Sequence, residues 1–194
     1  MAGGLQQPAC RSRLTSWLTV QAGTIPCLRR SYALTALLAI LWSLPAFAGR
    51  PHAAVGLPAP DFALRAVAGP NVRLSEHVGQ VVVISFWGSG CDACRAQLEA
   101  LNQDFSRYQG QGLLVYGVEV ADDQAAALHF ALGTHVTFPL LLDPAKTVAR
   151  AYDVDNLPMT VLIDRDGKIR QVVRDFNETS RRDCEDELRR LLAE

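Results

Sequence analysis

A three-layer α/β fold, with a mixed central sheet flanked by helices and a small N-terminal β extension, follows from three features of this sequence. Apolar runs of strand length alternate with helix-period segments from "QVVVISF" (residues 80–86) to "PAKTVARAY" (144–152), the pattern of parallel strands joined by crossover helices. "MTVLIDRDGKIRQVVRDF" (159–176) then reads as two strands around a turn, so an antiparallel hairpin closes the sheet. Ahead of both, "FALRAVAGPNVRL" (62–74) offers two short strands turning at Gly69-Pro70-Asn71.

Each element has its own signal. "QVVVISF" is a continuous apolar run of the kind buried on both sheet faces. Beyond Cys91-Asp92-Ala93-Cys94, the residues Leu98, Leu101, Phe105 and Tyr108 recur at steps of three and four, which lines them along one face of a helix. Gly110 and Gly112 end it. "LLVYGVEV" (113–120) is the next buried strand, 122–133 the next helix and "FPLLLD" (138–143) a short strand, after which Pro144 opens a helix in its first turn. Gly167 supplies the positive φ that the closing hairpin needs. The last helix starts at about Thr179 and turns Cys184, Leu188, Leu191 and Leu192 inward.

The chain of 194 residues has room for one domain and an extra segment. With 49% hydrophobic and 20% charged residues it has the apolar surface for a core and is not a disordered chain. Residues 1–48 carry four arginines and no acid, leaving a formal charge of −5 on the remainder. No basic stripe interleaved with aromatics survives there, which excludes phosphate-driven nucleic-acid binding.

Residues 1–48 read as a secretory signal peptide. Arg29-Arg30 precede an apolar core at 32–44, Pro45 breaks it, and Ala46-Phe47-Ala48 places small residues at a cleavage site. The core is short of the roughly 20 residues of a membrane span, so an N-terminal membrane anchor is the alternative. Gly49 follows in place of the cysteine that lipid attachment requires. Residues 49–55 form a linker and 56–194 the domain, soluble and extracytoplasmic or periplasmic after cleavage. Cys10 and Cys27 leave with the leader, so Cys91, Cys94 and Cys184 remain, an odd number for an oxidising compartment.

The pair in "SFWGSGCDACRAQ" (85–97) stands at a strand-to-helix junction. There the first sulfur meets unpaired N–H groups and the positive end of the helix dipole, which favour a thiolate at Cys91. Cys94, one turn in and on the buried face, is the resolving thiol. Cys91 attacks a substrate disulfide, and Cys94 then attacks Cys91 and releases the reduced substrate. A purely structural disulfide would close too small a loop to stabilise much. Zinc would need a second ligand pair, and no second CxxC or HxxxH is present, so neither metal nor cofactor is expected.

With these cysteines in place, "GLPAPDFAL", "VVVISFWGSGCDACRAQ", "VTFPLLLD", "AYDVDNLPMTVLIDRDGKI" and the closing helix together resemble the thioredoxin superfamily. Within it the chain is similar to exported TlpA/ResA-like thiol-disulfide oxidoreductases, over roughly residues 56 to 193. The resemblance implies a thioredoxin-like fold, protein thiol and disulfide substrates, a membrane-embedded electron donor and a monomer. Cytochrome c biogenesis is a common task of that branch. The resemblance also implies a cis Pro158 against the cysteine pair, with the backbone of Leu157 free to pair with substrate. Trp87 is the third substrate-side candidate, although packing beside the active-site turn is its plainer role.

Departures from the family pattern concern the proton. Gly90 stands where Trp is common, Gln97 where ResA-like members carry Glu, and Ser85 where thioredoxin has a buried Asp. Gln97 and Glu119 are the candidates for a proton relay. Glu119, in "GVEV", is the one acid to nominate, and a strand-end carboxylate reaching solvent is its plainer reading. Asp92 should push the Cys91 pKa up and make the couple more reducing, while Arg95 opposes it. Cys184 reads as a buried, inert thiol.

Two rivals of other classes remain. A peroxiredoxin-like antioxidant protein suits the N-terminal half, but its P-x-x-x-T-x-x-C site is absent: Ile84 and Gly88 precede Cys91 at those places, Trp87 and Cys91 precede Cys94. A Sco-like copper chaperone uses CxxxC and a distant histidine, and no histidine follows His135.

Overall fold

The computed structural model describes residues 53–120 and 123–194. The expectations for residues 1–48 lie outside the described residues. Seven strands form one sheet in the order β2-β1-β5-β4-β3-β6-β7. They are β1 (Ala63–Ala66), β2 (Val72–Arg73), β3 (Val81–Trp87), β4 (Leu113–Glu119), β5 (Leu140–Leu142), β6 (Met159–Ile163) and β7 (Ile169–Val173). The helices are α1 (Asp92–Tyr108), α2 (Gln124–Gly133), α3 (Thr147–Ala151) and α4 (Glu178–Ala193). β3, β4 and β5 run parallel, whereas β6 and β7 are antiparallel to their neighbours and the β1–β2 extension pairs antiparallel with β5. This is the mixed sheet the alternation of elements predicts.

Every residue of β3 is buried, because the sheet is covered on both faces at its centre. On one face Leu98 and Leu101 of α1, Phe130 of α2, and Leu188 and Leu191 of α4 pack over Val81, Val83 and Trp87. On the other, Val148 and Ala149 of α3 and Tyr152 pack with Phe62, Ile84 and Phe86. Tyr152 is fully buried and its hydroxyl donates to the Pro60 carbonyl at 2.8 Å. Ala53, assigned to the linker by sequence, is buried and its N–H bonds the Ala151 carbonyl.

Two helix starts differ from expectation. α2 begins at Gln124, capped by the Asp123 carboxylate, which accepts from the N–H groups of Ala125 and Ala126. α3 begins at Thr147 and not at Pro144, which lies in a turn with Ala145. The reason is Asp143: its buried carboxylate accepts from Thr147 N and Oγ1, Val148 N and Ala149 N at 2.9–3.1 Å. Those bonds draw the helix start onto the acid, and Lys146 bridges the gap in a left-handed conformation (φ 51°).

Candidate active site

β3 delivers the chain to the cysteines. Trp87 ends the strand, Gly88-Ser89-Gly90 turn, and Cys91 caps α1, its N–H bonding the Gly88 carbonyl. Cys91 Sγ accepts the Cys94 N–H at 3.0 Å, the helix-end contact that the sequence places there. Cys91 and Cys94 form a disulfide (S–S 2.01 Å), with Cys91 half-buried and Cys94 without solvent exposure. One sulfur is therefore open to attack from outside while the other is sealed behind it. Asp92 occupies the first helical position, and the Arg95 guanidinium lies 4.4 Å from the centre of the Phe130 ring on α2.

In the buried interior, the two positions where sequence found no acid are joined. Ser85 Oγ donates to Gln97 Oε1 at 3.1 Å, and Gln97 Nε2 donates to Thr160 Oγ1. All three side chains are buried, and Ser85 lies opposite Thr160 in the β3–β6 register. An uncharged hydrogen-bonded triad thus ties α1, one turn past Cys94, to β3 and β6. Thr160 escaped sequence reasoning because its neighbour in the triad is 63 residues away; its one signal was a hydroxyl two residues past Pro158, in an apolar strand.

The other candidates separate. The Leu157–Pro158 peptide is cis. Phe86 pairs with Met159, so Pro158 directly precedes the β6 residue that faces the end of β3. Leu157 is half-buried and packs against both core clusters. Trp87 is not on the substrate surface: its exposure is 0%, its ring stacks on Phe130 at 4.8 Å, and it supports the turn from below. Glu119 does not reach solvent either. It is fully buried beside Trp87 in the β3–β4 register.

Cys184 faces Asp104 and Glu185, and burial together with these acids pushes its thiol up to about 12. That matches the inert thiol expected from sequence. Asp104 is held above the usual carboxylate range by burial and by Glu185.

A carboxylate in the triad has a calculable effect. In Gln97→Glu, burial raises the folded-state pKa above the unfolded value of about 4.3. The native state then binds the extra proton between those two values, so stability relative to wild type falls as pH rises through that window, by about 1.4 kcal/mol per pKa unit. The ionised form also raises the thiol pKa values beside it. Thermal unfolding against pH should show the growing deficit, and single-turnover disulfide reduction should shift its rate profile to higher pH. Unchanged profiles would place residue 97 out of reach of the dithiol.

Comparison with known proteins agrees with this geometry. Thiol-disulfide oxidoreductase ResA of Geobacillus kaustophilus is 35% identical over 127 residues, 66% of this chain and 73% of that protein. ResA of Bacillus subtilis is 34% identical over 127 residues, 66% of this chain and 71% of that protein. Among solved structures, one described as a thiol:disulfide interchange protein DsbE from Chlorobium tepidum superposes with a TM-score of 0.69 at 31% identity, covering 72% of this chain and 99% of that one. A family model described as AhpC/TSA family matches residues 55–172. With its thioredoxin-like sheet and buried-and-open cysteine pair, this chain belongs to the AhpC/TSA family.

Proposed function

We propose that this thiol-disulfide oxidoreductase works outside the cytoplasm as a reductant of protein disulfides. The observation that carries the reading is the unequal pair: Cys91 half-buried at the start of α1, Cys94 sealed at its first turn. In the reduced enzyme the Cys91 thiolate attacks a client disulfide, and one client sulfur leaves as a thiolate. Cys94 then displaces the second client sulfur from Cys91. The client gains two electrons, and the enzyme is left with the Cys91–Cys94 disulfide. Leu157 and Pro158 present the backbone against which an extended client segment pairs, in the manner of an added strand. The Gln97 triad organises the proton side of the second step, with Glu119 as the alternative acceptor.

The peroxidatic reading gains nothing further. Ile84 and Gly88 hold the places before Cys91 where that chemistry wants Pro and Thr, and Ile84 is a fully buried strand residue. Export through the 1–48 leader, re-reduction by a membrane-embedded donor, action as a monomer and service to cytochrome c biogenesis complete the proposal. They rest on the leader's composition and on the ResA and DsbE names of the relatives.

The direction of electron flow is favoured by charge. Asp92 is the first residue of α1, next in sequence to Cys91, while Arg95 lies over the Phe130 ring. A carboxylate there disfavours the thiolate and so the reduced state, which makes the couple more reducing. The test is redox equilibration of the Cys91–Cys94 couple against glutathione or thioredoxin. A potential below about −200 mV is expected, and one near −120 mV, the range of a strong oxidant, would reverse the assignment.

A further inference from the structure

We propose that Arg174 is a positioning residue for the client: its guanidinium clamps the loop that carries Leu157, and so holds the backbone against which an extended client segment pairs. The proposal rests on the pairing role assigned to Leu157 and adds the group that keeps it in place.

Before this loop the chain is tied to α3, where the Val154 N–H bonds the Ala149 carbonyl at 3.0 Å. After it, Met159 opens β6 opposite Phe86 of β3. Between them, among the described residues, the backbones of Asp155, Asn156 and Leu157 make no hydrogen bond. Asp155 and Asn156 are exposed and Leu157 is half-buried. Unpaired N–H and C=O groups are what a client strand needs to find there. A segment with so few bonds of its own also has many conformations to lose when a client pairs with it.

Arg174 supplies the missing ties. β7 ends at Val173 opposite Thr160, so the next residue leaves the strand beside Met159, at the far end of the loop. From there Arg174 Nη1 donates to the Asp153 carbonyl at 2.8 Å and lies 3.5 Å from Met159 Sδ and 4.0 Å from the Asp155 carboxylate. One nitrogen thus reaches chain before the loop, within it and after it. The contacts differ in weight. The bond to the carbonyl is charge-assisted and short, so it is the strong one. The sulfur is a weak acceptor in a fully buried side chain, and the Asp155 pair is exposed and worth little. Asp153 is itself left-handed (φ 50°), a conformation that a residue with a side chain keeps where its surroundings hold it, and the guanidinium on its carbonyl is one such hold. Because all three contacts use a single nitrogen, a lysine ammonium, with its donors at one point, can make them too.

The test follows the first release of one coloured aromatic thiolate from two kinds of substrate by the reduced full-length protein. A small symmetrical aromatic disulfide needs no backbone pairing; an extended peptide whose cysteine carries the same aromatic thiol does. In the peptide reaction the Cys91 thiolate attacks the peptide sulfur, the S–S bond breaks, and the coloured thiolate leaves with its electron pair. Methylating the peptide nitrogens beside the cysteine should slow release by wild type about fivefold or more, since a methylated nitrogen neither donates nor fits against a neighbouring strand. Arg174→Met keeps the stem and loses the donors. It should slow the unmethylated peptide about fivefold or more, react at one rate with both peptides, and leave the small disulfide within about twofold of wild type. Arg174→Lys should restore the peptide rate. Wild-type speed with the peptide in Arg174→Met overturns the clamp, and so does an equal loss on peptide and small disulfide, which would trace the change to the dithiol. Wild type reacting alike with the two peptides would remove the pairing role of Leu157 itself, a failure distinct from that of the clamp.

Discussion

Cys91→Ser is expected to reduce disulfide exchange to the uncatalysed background, while Cys94→Ser is expected to keep the first step and lose the second. The asymmetry follows from exposure. The Cys91 sulfur is half-buried at the helix start and takes the Cys94 N–H, an environment that holds a thiolate where a client can reach it. Serine at that place has no comparable nucleophile at neutral pH. Cys94 has no solvent exposure, so a client disulfide meets Cys91 first and Cys94 only by displacement from within. Cys94→Ser should therefore accumulate client proteins linked to Cys91, visible on non-reducing gels and released by reductant, and Cys91→Ser should accumulate none. Equal adducts in both variants would contradict the assignment.

The largest effect on stability is expected at Trp87. Its side chain is completely buried, stacks on Phe130 and lies so close to Gly117 that a Cβ there would come within 3.1 Å of the indole nitrogen. Trp87→Ala leaves a cavity at the end of β3 where it packs on α2, a loss of about 3–5 kcal/mol. At a few degrees per kcal/mol, that is roughly 10 °C or more in Tm for a domain of this size. The indole N–H has no acceptor among the described residues, so Trp87→Phe forfeits packing but no hydrogen bond and should cost clearly less. Thermal unfolding of the two variants side by side separates volume from polarity. A loss in Trp87→Ala below about 1 kcal/mol would mean that the core closes over the gap, against the close packing of interiors.

The legible part of this molecule was what repeats locally. The apolar run of β3, the helical spacing of Leu98 and Leu101 and the hairpin around Gly167 each signal through neighbours in sequence, and each stands in the structure where expected. So does the cysteine pair, because the turn before a helix start is a local event. Contacts across the sheet were out of reach. Glu119 at a strand end looked solvated, yet it lies between Trp87 of β3 and Leu142 of β5 with no exposure. Trp87 next to the turn read more plainly as packing than as a substrate contact, and it packs, but its partner Phe130 is 43 residues on, in a helix whose position no local signal conveys. The uncharged triad was half visible, as two missing acids at Ser85 and Gln97. Thr160, which completes it, came only with the β3–β6 register. Asp143 shows the same limit at short range: a proline at 144 suggested a helix start, and the carboxylate one residue earlier decided where it fell.

At the end of the sheet away from the cysteines, one guanidinium fastens several segments. Arg165, in the β6–β7 turn, donates to the carbonyls of Gly79, Gln111 and Leu192, which belong to the approach to β3, the exit from α1 and the last turn of α4. The opposite end carries the loop Gly88-Ser89-Gly90, two of whose three residues have no side chain to anchor it. Local opening is therefore graded along the strands, costly where a rigid planar fork ties three chain segments and cheap where the disulfide must meet its client. Opening confined to that pole would let the redox loop adapt to clients of different shape while the rest of the domain kept its register.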